Sequence, residues 1–253
     1  MMVLSLLAPV LAPYPFEQTD LYNTFATPSR EHLFGTDELG RDILSRLMVG
    51  TKHSLRIGLV SVLYSSVVGI AIGCISGYYG GKIDGFIMRF MDIFSAIPAL
   101  VLAIAVCAVL GPGINNCIIS IAISGTPSFV RMARASVLNV RRMEYLEAAT
   151  AINCNTAQII VKHILPNILA PLIVLMTMTV ANNILTASQL SFIGLGVQPP
   201  NPEWGAMLSA GRNYIRNYPH MVLFPGVTIM LAVLSLNMVG DGLRDALDPK
   251  LKD

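Results

Sequence analysis

Thr179, Asn182, Asn183, Thr186 and Gln189 are the side chains of this 253-residue chain whose types and spacing most invite chemistry. They recur every three or four residues, which lines them up along one face of a helix. The stretch that holds them, Ile168–Gly196, is otherwise apolar and long enough to cross a bilayer. An amide facing lipid is costly, so this face must meet other helices or a watery passage. Interhelical hydrogen bonding and lining of a translocation path both fit. Covalent chemistry has no comparable candidate. The chain carries no GxxxxGK[ST] phosphate loop, no HExxH and no GxSxG. Its four histidines are scattered, and Cys74, Cys107, Cys117 and Cys154 form no CxxC pair. Three of those thiols lie in or beside apolar stretches, where cysteine acts as a small buried hydrophobe. Asp241, Asp245 and Asp248 sit with Arg244 and Lys250 on a helix end, a pattern of salt bridges rather than of metal ligands.

The elements that must position these residues are membrane helices. With 54% hydrophobic and 13% charged residues, the chain is too apolar for an ordinary soluble domain. Its net charge of +2 argues neither for nucleic acid nor for a polybasic membrane patch. Residues 1–16 are apolar but too short for a span and are broken by prolines. Residues 17–54 form a polar segment with a turn at Gly35-Thr36-Asp37. A short amphipathic helix follows, with Ile43, Leu44 and Leu47 on one side. Five apolar stretches then approach or reach membrane length: Leu55–Tyr79, Phe86–Leu110, Ile114–Val130, Ile168–Gly196 and His220–Gly240. In lipid each must be a helix, because its backbone groups can bond only internally. The third is the weakest, being interrupted by Ser124, Gly125, Thr126 and Pro127.

Details within the spans set further expectations. Ser65, Gly69, Gly73, Gly77 and Gly81 recur every four residues and make a close-packing face. Gly80–Gly85 is a short turn, making the helices on either side antiparallel neighbours. Arg89 and Asp92 are spaced to pair with each other, and Pro98 should kink its span. Trp204, the one tryptophan, follows the stiff Pro199-Pro200-Asn201-Pro202 turn, where an aromatic ring suits the membrane interface.

The longest polar interruption in the apolar second half is Arg141–Asn167. It reads as two short helices, about Arg134 to Ile152 and Ala157 to Leu165, joined at Asn153-Cys154-Asn155-Thr156. Asparagine tolerates the left-handed conformation that ends a helix, and Asn or Thr caps the next one. Pro166 should stop the second helix. Two short helices between spans make a compact elbow, able to seat in a groove on a soluble partner.

Within that elbow, Glu147-Ala148-Ala149, the turn residue Asn153, and His163 with Leu165-Pro166 resemble the EAA loop of binding-protein-dependent ABC importer permeases. Two positions depart from the general pattern: Asn153 stands for Gly, and His163 for Ile. The segment His163–Asn167 resembles the peptide and nickel branch of the family, as do His32–Asp42, Leu190–Gly205 and Gly240–Pro249. The resemblance covers roughly Glu31 to Leu251. It implies the transmembrane domain of a type I ABC importer, an all-α polytopic membrane protein with five complete spans plus an incomplete first one at residues 1–16, either truncated or genuinely vestigial. Residues 17–54 would lie outside the cytoplasm. Residues 55–253 would form the permease domain, with residues 134–167 as its cytoplasmic coupling loop.

The resemblance also implies partners and a role. The chain would be one permease subunit of a heterodimer in the inner membrane of a bacterium or archaeon, with no enzymatic activity and no cofactor or metal of its own. One or two ATP-binding subunits would hydrolyse ATP and press on the loop, and an extracytoplasmic solute-binding protein would deliver cargo. Nucleic acid has no place in this reading. Di- or oligopeptides are the expected substrate class, and nickel or a metal–chelate complex is the alternative. A secondary transporter or channel would want a coupling carboxylate in mid-span, and none is seen. A membrane-embedded enzyme would want a nucleophile–base pair or a metal-ligand set.

Overall fold

In the computed structural model, which describes residues 11–247, the regular elements are helices, and no β-strand occurs among these residues. The longest helices are α1 (Ile43–Tyr79), α4 (Ile114–Val140), α6 (Thr156–Phe192) and α8 (His220–Leu247). Between them lie α2 (Gly81–Ser95), α3 (Ala99–Leu110), α5 (Glu144–Ala151) and α7 (Trp204–Gly211). By length and composition α1, α6 and α8 can each cross a membrane, and α2 with α3 can do so if the bent pair counts as one span. The 27-residue α4 is more polar and packs most extensively against α1.

At 37 residues, α1 is about 55 Å long, well beyond a hydrocarbon core of about 30 Å. The separate amphipathic helix expected near residue 43 does not exist. Asp42 caps α1 directly, accepting from the Ser45 N–H, and Ile43 and Leu47 are buried in the first turns of one continuous helix. The protruding end is wrapped by the polar N-terminal segment. Arg46 donates to the Phe16 carbonyl, Phe34 stacks on Phe224 of α8, and Phe25 stacks on Tyr218. Within this cap the Asn23 side chain and the Tyr22 amide hold the Asp20 carboxyl below its ordinary range. The incomplete first span expected at residues 1–16 falls largely outside the described residues.

The small-residue stripe on α1 is the seam that organises the bundle. A Cβ on Gly69 would sit 2.5 Å from that of Phe129, and one on Gly73 2.5 Å from the Val130 carbonyl oxygen. Gly77 abuts Val137, and Ser65 lies across from Gly125, so α1 and α4 touch backbone to backbone. Gly81, the fifth member, does not take part. It opens α2 at positive φ, as Gly80 does before it, in a turn that an L side chain would strain. Further along α1, Gly58 gives the same close approach to Ile184 on α6. Thus α1 pairs chiefly with α4 and then α6, and only lightly with the sequence-adjacent α2.

Proline positions divide the remaining helices unexpectedly. Pro98 does not merely kink a span. It starts α3, and α2 and α3 meet at 83°. Proline drives the residue before it out of the helical region, so the chain turns there. Pro127 leaves α4 unbroken, so the interruption expected at 124–127 is absent. The hydroxyls of Ser124 and Thr126 bond back to the Ile121 and Ala122 carbonyls, keeping these polar groups satisfied inside the helix.

Two ion pairs bind α2 to α4. Arg134 grips Asp84 with two nitrogens, at 2.5 and 2.6 Å, while Ser76 of α1 donates to the same carboxylate. Asp92 pairs with Arg131 at 3.0 Å, not with Arg89 as the spacing suggested. A helix neighbour three residues away is available, but α4 brings a guanidinium to the other side of Asp92. Asp84→Asn should lower the melting temperature in detergent. A loss of about 1–3 kcal/mol is expected from breaking a bidentate, partly buried pair, and Asp92→Asn, which is exposed, should cost less than 1. Equal shifts would refute the ranking.

Candidate coupling elbow and polar helix face

The elbow is built where α4 ends. Its first helix is not continuous from Arg134 to Ile152: α4 stops at Val140, Arg141–Met143 turn, and α5 starts at Glu144. Leu146 and Ala149 of α5 are buried against Val137, Val140, Ile159, Ile164 and Ile168, which leaves Glu147 and Ala148 exposed on the opposite side. This is the division an amphipathic helix makes when one stripe pays into a core. Asn153 ends α5 at φ 62°, and the Cys154 N–H bonds to the Ala149 carbonyl. That is a Schellman-type stop with Asn in the glycine position. Asn155 then caps α6 through a reciprocal pair with Gln158.

Pro166 does not end the second helix. It is carried inside α6, which runs without a break to Phe192. The preceding residues, Ile159–Ile164, wind as a π-helix, with the Leu165 N–H reaching back to the Ile160 carbonyl. The extra residue in that turn spaces out the carbonyls that the proline ring would otherwise strike, so helix and proline coexist. The second half of the elbow is therefore continuous with the span that holds the polar face. His163 is half-buried, its carbonyl accepting from the Asn167 side chain, and Leu165 is half-buried beside exposed Pro166. Next to Glu147 a groove of about 340 Å³ opens between Tyr78, Tyr79, Arg141, Leu146 and Ile159.

The five polar residues of α6 are not one stripe with one task. Asn183 is buried and donates to the Ser61 hydroxyl on α1 at 2.8 Å. Thr179 and Thr186 return their hydroxyls to the Leu175 and Asn182 carbonyls of their own helix. Asn182 and Gln189, seven residues apart, are exposed on the same face of the helix. Asn183→Leu should cost about 0.6 kcal/mol of stability, the usual worth of a hydrogen bond between membrane helices, and Asn182→Leu should cost none. Thermal unfolding of the two variants in detergent decides this.

Sequence reasoning missed Glu203 and misplaced Trp204. Trp204 is fully buried and is no interfacial anchor: its indole N–H donates to the Leu47 carbonyl at 3.1 Å, beside Gly50. Glu203 is also fully buried, without a cation partner among the described residues. Its carboxylate accepts from Ser54 at 3.1 Å and from the Ala206 N–H at 2.9 Å, at the start of α7. Together these two residues pull the proline-rich loop down onto α1. No local pattern signalled it, because their partners are some 150 positions away. At the far end of α8 the expected salt bridges are not seen among the described residues. Asp241, Arg244 and Asp245 are exposed and make no ion pair among the described residues, while Asp248 and Lys250 lie outside them. The thiols of Cys74, Cys107 and Cys117 are buried and unpaired.

A bundle of long apolar helices, with an exposed helical elbow leading into a span that bears amides, is the architecture of a polytopic membrane protein. Residues 69–253 match the family described as "Binding-protein-dependent transport system inner membrane component", and the chain belongs to that family. It is 47% identical over 250 residues to the dipeptide transport system permease protein DppC of Alkalihalophilus pseudofirmus, covering 99% of this chain and 82% of that one. It is likewise 47% identical to the di/tripeptide permease protein DppC of Pseudomonas aeruginosa, over 98% and 84% of the two chains. To the glutathione transport system permease protein GsiD of Escherichia coli it is 44% identical, over 100% and 84%. Among solved structures, the inward-facing MetNI methionine ABC transporter superposes with a TM-score of 0.67 at 19% identity. That match covers 81% of this chain and 98% of the other, and at that identity the likeness is one of fold. The fold is the type I ABC importer transmembrane domain, and the chain is an inner-membrane permease subunit.

Proposed function

We propose that this chain forms half of the translocation pathway for di- or oligopeptides, and that α5 with the start of α6 is the cytoplasmic coupling element on which separate ATPase subunits act. The observation that carries the reading is mechanical. Glu147, Ala148, Asn153 and Pro166 stand exposed on an elbow whose buried side, Leu146 and Ala149, is packed against the roots of α4 and α6. A push on the exposed side therefore travels along α6, through its π-turn, to Asn182 and Gln189. The sequence carries no phosphate loop, which supports hydrolysis by separate subunits. Nucleotide must favour one tilt of the bundle over another for the push to move cargo.

The relatives named for dipeptides, di/tripeptides and glutathione support peptides as cargo over nickel. A second permease subunit would cover the face bearing Asn182 and Gln189, closing a path lined by uncharged donors and acceptors, and an extracytoplasmic binding protein would meet the capped end of α1. Uptake of labelled dialanine and of nickel by a deletion strain carrying the complete transport system tests the assignment. Dialanine uptake that depends on this chain is expected, and nickel uptake in its place would overturn it.

A further inference from the structure

Beyond the path itself, the wall between α3, α6, α7 and α8 holds a cavity of about 440 Å³, within the size range of small-molecule sites. Leu100 and Ile104 of α3, Leu185 and Phe192 of α6, Leu208 of α7 and Ile229 of α8 line it with apolar surface. Two polar residues border that surface, both from α6. Gln189 is exposed at the cavity, and Ser188 is buried, with a hydroxyl that finds no hydrogen-bond partner. Ser61, Ser65 and Ser66 of α1, by contrast, bond back to their own helix. A buried hydroxyl without a partner costs stability, which is the mark of a group kept for something that comes and goes.

A lipid tail is a poor occupant. It offers nothing to Ser188, and a cavity facing lipid would leave the Gln189 amide, and Asn182 two turns before it, in hydrocarbon. We propose that this cavity is a transient subsite for the bulky apolar side chain of a peptide in transit. The peptide's own backbone amide bonds to Ser188 and Gln189 while its side chain fills the space among Ile104, Leu208 and Ile229. The proposal rests on the reading of the chain as a peptide permease, and it adds a preference: large apolar side chains gain here, and glycine gains nothing.

The test is uptake of dileucine and diglycine by a deletion strain carrying the complete transport system, with either the wild-type chain, Leu208→Trp or Ile104→Phe. Filling the cavity should cut dileucine uptake about tenfold relative to diglycine, the discrimination a hydrophobic pocket commonly supplies. Retained diglycine uptake shows that the variant is folded and assembled. Ser188→Ala should reduce uptake of both peptides alike and by a smaller factor, because the backbone amide it meets is common to both. If diglycine and dileucine fall together in both filled variants, the cavity is a packing seam or a seat for another subunit, and the proposal is overturned. Unchanged uptake of both peptides overturns it equally. If the wild-type chain supports uptake of neither peptide, the peptide reading fails and the subsite falls with it.

Discussion

Replacing Glu147 with Arg should abolish transport while leaving the protein inserted and folded. Glu147 is exposed, makes no ion pair among the described residues, and stands beside a groove flanked by Tyr78, Tyr79 and Arg141. Nothing inside the subunit needs its charge. A partner surface that accepts an acidic knob would meet a like charge instead, and a central interface residue of this kind commonly carries 2 kcal/mol or more, about 30-fold in affinity. Coupling should suffer at least as much, because the elbow must be held as well as touched. The measurement pairs ATP turnover by the complete importer with peptide uptake in proteoliposomes. Uptake should fall by about 30-fold or more, while the melting temperature of the detergent-solubilised subunit stays put. A variant with normal uptake would remove α5 from the coupling mechanism. One that melts early would make Glu147 a structural residue.

The second large effect concerns the seam. Gly73→Val should prevent stable folding, because its Cβ alone would lie 2.5 Å from the Val130 carbonyl oxygen and 2.7 Å from the Ala133 Cβ. Both neighbours are fixed, one of them as backbone, so α1 and α4 must separate along the seam that runs from Ser65 to Gly77. Overpacking of a tight core costs about 1–3 kcal/mol even when side chains can shift, and here they cannot. Loss of contact along the whole seam adds to that. Gly85→Val is the control: nothing lies near its Cβ, and it should cost only a helix-propensity difference, in either direction. Steady-state membrane abundance and resistance to protease separate the two variants, and equal abundance would mean that α1 and α4 do not pack as described.

The seam also shows where sequence and structure divide the labour. A glycine every fourth residue means a close-packing face whatever lies opposite, because the period belongs to the helix itself. What lies opposite is a tertiary matter: the partner is α4, and the helix next in sequence is only lightly packed. The end of α5 was equally legible, since Asn153 adopts the left-handed conformation whose tolerance is written in its side chain. Proline was not. Pro98 breaks, Pro127 is absorbed and Pro166 rides behind a π-turn. The same residue thus gives three outcomes, set by whether the surrounding turn can widen or its carbonyls can find other donors.

Local periodicity therefore determined that this chain is a bundle of membrane helices, which face of α1 is smooth, and which segment forms the elbow. Those properties depend on residues within a few turns of one another. Only the tertiary structure decided that Asp92 turns to Arg131, that Asn183 and not Asn182 binds Ser61, and that Glu203 and Trp204 are sunk into the core. Each of those contacts joins groups some 40 to 160 positions apart, and a hydrogen bond or ion pair forms only where packing brings both partners within reach.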